Sequence, residues 1–196
     1  GLVKNRPSGQ EQKYYYCDEE QNVEFLHYIE YLYCAIVEHA ADIAVCKFMR
    51  FSGSVPEISG ASYVSPRIFN GSEMLDRLYS SDHDTYLEST VAWNKLYKRT
   101  LFQDILYPVG KIHEDEAVTY KLYCGDVKAA FVEQYLYYYF QNNFGIMKSV
   151  FNVKRLDYLD ALYERYYYLK ERGFIRHAEI TARRLFIYIT DYASMG

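Results

Sequence analysis

Four adjacent residues, His113-Glu114-Asp115-Glu116, follow a loop marked by Pro108 and Gly110 and precede the apolar-periodic run Ala117 to Tyr123. A histidine and three carboxylates at that place have two readings. Acidic side chains favour the positive end of a helix by about 0.3–1 kcal/mol each. A carboxylate held at a helix entrance is also well placed to act as a general base, drawing off a proton as a hydroxyl attacks. A second acidic cluster, Asp18-Glu19-Glu20, lies far upstream, between the aromatic run Lys13–Cys17 and another apolar-periodic stretch. It too suits the start of a helix.

The elements that must position these clusters can be read from periodicity. Lys13–Cys17 is short, aromatic and β-prone, and predicts a strand. From Val23 to His39 the residues Phe25, Ile29, Leu32, Tyr33, Ile36 and Val37 recur at three- and four-residue steps, which predicts an amphipathic helix. Asp42 to Phe48 reads as a buried strand. Arg50 to Asn70, rich in Ser, Gly and Pro, reads as a loop, and Ser72 with Glu73 opens a short helix to about Tyr79. Thr90 to Tyr97 is a strand or a strand-to-helix turn, and Leu101 to Ile105 a short helical piece. Glu114 to Tyr123 predicts a helix stopped by Gly125. Val127–Val132 and Gln134–Phe140 are β-prone. Two amphipathic helices, Asn152–Arg172 and Phe174–Tyr192, close the chain. Their Lys154, Arg155, Arg165, Lys170, Arg172, Arg176, Arg183 and Arg184 read as a solvated face, with a peripheral membrane contact as the sharper alternative.

Composition excludes several classes. With 196 residues, half of them hydrophobic and 24% charged, the chain is long enough for an ordinary core and is not disordered in character. A net charge of -4 argues against a non-specific nucleic-acid binder. The sequence contains no uninterrupted run of about 18 apolar residues, the length a membrane span needs. Cys17, Cys34, Cys46 and Cys124 are scattered without a CxxC pair, so they read as free thiols of a cytoplasmic protein rather than a zinc site. The 24 tyrosines include the runs Tyr14–Tyr16, Tyr137–Tyr139 and Tyr166–Tyr168. Packing explains most of them, and stacking on sugar rings is the alternative for a few. The same choice applies to Trp93, the chain's one tryptophan. The polar start Gly1–Gln12, without an initiating Met, reads as a cut inside a larger protein or an engineered boundary.

Three stretches taken together resemble the family 2 glycosyltransferases of GT-A fold. "KYYYCDEEQNVEFLHYIEYLYCAIVEHAADIAVCKF" is similar to the segment in which those enzymes end a strand on a DxD-type motif. "VAWNKLYKRTLFQDILYPVGKIHEDEAVTYKLY" resembles their AWNKLYKR-like stretch, loop and HEDE. "YLYYYFQNNFGIMKS" is similar to their tyrosine-rich strand and following loop. The resemblance runs from Gly1 to about Arg184. It implies an α/β fold: a GT-A-like mixed sheet flanked by helices, an incomplete Rossmann-like domain over residues 1–150, with a C-terminal helical pair over 151–196 packed on it.

It also implies an activity: inverting transfer of a sugar from a nucleotide-sugar, UDP-linked by expectation, to the hydroxyl of a glycan or lipid-linked acceptor. The matching metal ligands are Asp18 and Glu20, for Mg2+ or Mn2+. The matching base is Asp115, with Glu114 beside it, and Trp93, Asn94 and His113 fall on the acceptor side. Such an enzyme works in the cytoplasm, at the inner face of the membrane if its acceptor is a lipid. Nucleic acid has no place in it. Two departures stand out: Glu20 replaces the second Asp of the metal motif, and Phe140 stands where many relatives carry Arg, with Lys148 the nearest basic residue downstream. The strands that hold the nucleotide base, two βαβ units or roughly 60 residues, lie outside this sequence by the same comparison. A degenerate or truncated transferase-like domain that binds a glycan or protein without catalysis is the rival reading.

Overall fold

A four-stranded mixed sheet in the order β2-β4-β1-β3 organises the molecule. The computed structural model describes residues 23–54, 64–141 and 153–194, with side chains from Tyr28 onward in the first segment. The strand expected over Lys13–Cys17 lies outside them, as do Asp18 and Glu20. Helix α1 covers Val23–His39 and strand β1 covers Ile43–Phe51. β2 (Arg67–Asn70), α2 (Gly71–Arg77) and α3 (His83–Thr90) follow, then β3 (Lys95–Tyr97) and a 3-10 turn at Arg99–Phe102. α4 (Glu114–Tyr123), β4 (Lys128–Phe140), a second 3-10 turn at Val153–Leu156, α5 (Asp157–Glu171) and α6 (Ile175–Ser194) complete the described chain. This is the expected α/β arrangement with C-terminal helices.

β1 and β4 are parallel and central, while β3 and β2 run antiparallel at the two edges. Parallel strands are buried on both faces, which explains the small and branched residues there. Ala44, Cys46, Ala130 and Val132 pack on one face under Tyr28, Leu32 and Ala35 of α1. Ile43, Val45, Ala129 and Phe131 pack on the other, with Met74, Leu75 and Leu78 from the α2 region, Val118, Leu122 and Tyr123 of α4, and Ala161, Leu169 and Ala178 of α5 and α6. The register of β1 on β4 slips twice, between Cys46 and Lys47 and between Lys47 and Phe48. Such bulges increase twist and re-aim side chains at strand ends.

The structure corrects the sequence reading in four places. The buried stripe of α1 is Tyr28, Leu32 and Ala35, so Ile29, Tyr33 and Val37 of the expected stripe are exposed. Close approach of the helix to a sheet face of alanines favours the small Ala35 over a bulkier neighbour. β4 is one strand, because the ladder with β1 resumes at Tyr135 after Glu133 and Gln134 are left unpaired in a bulge. The segment read as a loop to Asn70 ends in β2. Helix α3 falls in a stretch to which the sequence reading assigns no element, and it starts on an Asp82 cap whose carboxylate accepts the Thr85 amide at 2.8 Å.

α2 begins with a reciprocal cap. The Asn70 side chain accepts the Glu73 amide at 2.9 Å, and Glu73 accepts the Asn70 amide at 2.7 Å. Gly71 then passes so close to the end of α4 that a Cβ there would stand 2.3 Å from the Tyr123 carbonyl oxygen and 2.8 Å from that of Gly125. Both obstacles are backbone and cannot swing away. Gly71→Ala is therefore expected to destabilise the fold by about 1–3 kcal/mol, seen as a lower urea midpoint with an unchanged slope. An unchanged midpoint would mean that α2 and α4 are not held this tightly.

Candidate active site

The entrance of α4 is fixed by the loop before it. Gly110 has φ 77° and His113 φ 60°, so the chain makes two left-handed turns before the helix begins. The Ile112 amide donates to Asp157 Oδ2 at 3.1 Å, and Lys111 Nζ reaches Asp160 Oδ2 at 2.7 Å. The first-turn carboxylates of α5 thus hold the loop that aims α4. His113 has its ring 5.1 Å from that of Tyr158, and burial pushes its pKa down, so the imidazole is neutral near pH 7.

The three carboxylates have three different surroundings. Glu114 is exposed at the helix start. Glu116 is 3% exposed and locked: it accepts from the Tyr86 hydroxyl and pairs with Arg165, which is wholly buried and also donates to the Glu116 carbonyl. Burial works to raise the Glu116 pKa, but Arg165 and Tyr86 outweigh it and hold the group ionised. Arg165, read as part of a solvated face, is instead the counter-ion of the acidic cluster, with Tyr120 beneath its guanidinium at 4.8 Å. Arg184 of the same set is also drawn inward, over the Tyr79 and Tyr86 rings.

Asp115 lies between these extremes. It is half-buried, and its Oδ1 accepts the Glu116 amide at 2.8 Å. Burial, then the like charges of Glu116 and Glu114, push its pKa up to about 6. Lys95, Tyr97 and Tyr107 sense its charge from β3 and the following loop. A carboxylate that titrates near neutrality suits proton abstraction far better than one fixed at 4.

The turn Trp93-Asn94-Lys95 sends its three side chains to different places. Trp93 stacks on Tyr137 at 4.5 Å and on Tyr139 at 5.0 Å, with Phe48 against its edge. These rings gather where the parallel strands β1 and β4 reach their carboxyl ends, the usual place for ligands on open α/β sheets. Asn94 is fully buried, and its amide donates to the carbonyls of Cys46 and Glu88. It holds the turn and presents nothing to solvent. Lys95, which sequence reasoning passed over, is buried and donates to three oxygens: Glu88 O at 2.7 Å, Asn94 Oδ1 at 2.7 Å and Val91 O. A single lysine inside the apolar run Val91–Tyr97 was the available signal.

His113, Glu114 and Asp115 thus share the mouth of α4, while Trp93, Asn94 and Lys95 belong to the turn that leads into β3. An open cleft of about 300 Å³ is lined by Lys47, Arg67, Arg77, Asp84, Glu88 and Glu133 among others. Among the described residues no group of three or more His, Cys, Asp or Glu is placed to hold a metal ion. Nor, among them, is any helix long and apolar enough to cross a membrane. Cys34, Cys46 and Cys124 are free.

No family model matches the chain. Over 152 residues, 75% of its length, it is 32% identical to Glycosyltransferase GlyA of Streptococcus pneumoniae serotype 4 (strain ATCC BAA-334 / TIGR4). The match covers 22% of that protein, so the chain corresponds to less than a quarter of it.

Proposed function

From this relationship to a glycosyltransferase, we propose that the chain is the acceptor-side and base-bearing part of an inverting, family 2-like transferase of GT-A fold. The donor is a nucleotide-sugar, taken here as UDP-linked, and the acceptor is a hydroxyl of a glycan or of a lipid-linked sugar. Asp115 is the general base. The observation that carries this reading is its setting: a half-buried carboxylate at a helix mouth, raised toward neutrality, between one exposed and one locked neighbour.

An alcohol has too high a pKa to be a good nucleophile at neutral pH, so a carboxylate must take its proton as the bond to the sugar carbon forms. Oδ1 of Asp115 is occupied by the Glu116 amide, which orients the carboxylate and leaves Oδ2 to face the acceptor. Glu114 and the neutral His113 flank it and can accept or donate hydrogen bonds to neighbouring hydroxyls. Trp93, with Tyr139 beside it, offers an aromatic wall for a sugar ring. Asn94 acts at one remove, by holding Trp93 in its turn.

Asp18 and Glu20, which lie outside the described residues, would hold Mg2+ or Mn2+. A hard, oxygen-ligated cation stabilises the negative charge that develops on a diphosphate leaving group. Calorimetry on the complete protein tests the donor half. Titration of a UDP-sugar is expected to give a binding heat with Mn2+ present that vanishes with excess chelator. No heat under either condition would favour a non-catalytic, glycan- or protein-binding module.

A further inference from the structure

The cleft of about 300 Å³ has no part in the proposed chemistry, and none of its lining residues comes from α4. Its walls carry three cations, Lys47, Arg67 and Arg77, against four carboxylates, Asp82, Asp84, Glu88 and Glu133. Most of these charges are spent nearby. Arg67 pairs with Glu133 at 3.3 Å, Asp84 pairs with Arg50 at 2.8 Å, and Asp82 caps α3. Arg77 is fixed in place: its Nε donates to Ser89 Oγ at 3.1 Å, and its guanidinium lies over the Phe131 ring at 4.6 Å.

Two groups are not spent. The Glu88 side chain is 10% exposed, yet among the described residues no donor bonds to its carboxylate, and Arg77, the cation paired with it, stands at 3.5 Å. Buried polar groups normally find partners. Burial pushes the Glu88 pKa up against the pull of Arg77 and Lys47. Lys47 makes no hydrogen bond or ion pair among the described residues, and its ammonium stands 5.8 Å from the Tyr135 ring centre. One hollow thus holds an acceptor short of donors and a donor short of acceptors.

That combination selects the ligand. A phosphate satisfies Lys47 but meets the charge of Glu88. A metal ion satisfies Glu88 but meets Lys47 and Arg77, and among the described residues no carboxylates are grouped to hold one. A hydroxyl both donates and accepts, so two neighbouring hydroxyls on one ring satisfy both side chains. We infer that this cleft is a carbohydrate subsite, separate from the transfer site, which takes one neutral sugar ring by a hydroxyl donating to Glu88 and its neighbour accepting from Lys47. The volume is at the small end for a ligand pocket, which suits a single ring. The inference goes beyond the base reading and does not depend on it.

Saturation-transfer NMR on the complete protein tests it, with the methyl glycosides of glucose, galactose and N-acetylglucosamine as probes. At least one is expected to take up saturation, most strongly at ring protons beside two adjacent hydroxyls. Lys47→Met and Glu88→Gln are each expected to weaken its binding about tenfold. Lys47→Met removes an ammonium with no bond to lose, so it decides the matter even if Glu88→Gln fails to fold. No saturation with any probe, unaltered binding in folded Lys47→Met, or displacement of the sugar by inorganic phosphate overturns the inference. Asp115→Asn tells the two readings apart: transfer that survives it overturns the base assignment and leaves the subsite standing.

Discussion

Asp115→Asn is expected to lower transfer by about 10³-fold in the complete protein while making the fold more stable at neutral pH. The two halves of this result have one cause. The folded-state pKa of Asp115 is raised from 3.8 to about 6, so between those values the folded chain binds a proton that the unfolded chain has released. The stability contributed by the protonated form is complete below about pH 4 and is lost as pH rises through 6. At pH 7 the native protein therefore holds a charge that its surroundings disfavour. Asparagine keeps an oxygen for the Glu116 amide and carries no charge, and its expected gain is up to about 3 kcal/mol at pH 7, shrinking to nothing near pH 4. Melting curves of the two proteins at both pH values, beside a transfer assay, measure all of it. Full activity in the variant would end the base assignment; equal stability at both pH values would end the account of its pKa.

Arg165→Met is expected to be the most damaging single substitution in the helical half of the molecule. It leaves the Glu116 carboxylate buried without its partner, a loss of about 3–5 kcal/mol from a total that is commonly 5–15 kcal/mol. Methionine fills the space over Tyr120, so the effect is one of charge rather than volume. The double variant Arg165→Met with Glu116→Gln removes the stranded charge and should recover much of the loss. Urea denaturation of the three variants decides between a charge and a packing explanation, because a packing defect would persist in the double variant. Glu116 is also the stronger of the two like charges acting on Asp115, so this pair tunes the base as well as the fold.

The parts of this structure that were legible in the sequence are those governed by local rules. The bounds of α4 follow from an acidic start, apolar periodicity and a glycine stop, and α1 spans the residues its periodicity gave. What escaped is what depends on partners distant in sequence. α3 has only Tyr86 and Leu87 as large apolar residues, and its last turn buries Glu88, Ser89 and Thr90, held by Arg77, Lys95, Thr119 and Tyr123. Nothing near residues 83–90 announces those contacts. The same holds at the site. Asp115 was visible as one carboxylate of a cluster, but its distinction from Glu114 and Glu116 arises only when α5 brings Arg165 to one of the three. Asn94 reads as an acceptor contact beside Trp93, and Lys95 after it as an ordinary surface residue, until the carboxyl end of α3 folds over both. Asp18 and Glu20 stand outside the described residues, so the meeting of the two acidic clusters rests on the family resemblance.

The packing of Trp93 has a practical consequence. Its indole is the chain's one such chromophore, and it lies nearly flat against Tyr139, 4° from parallel, with Tyr137 also stacked on it. The 24 tyrosines feed light-excited energy toward that single acceptor. Intrinsic fluorescence of this protein is thus a one-residue signal from the carboxyl ends of β1 and β4. A sugar that slides onto the ring would shift its emission without any label being attached.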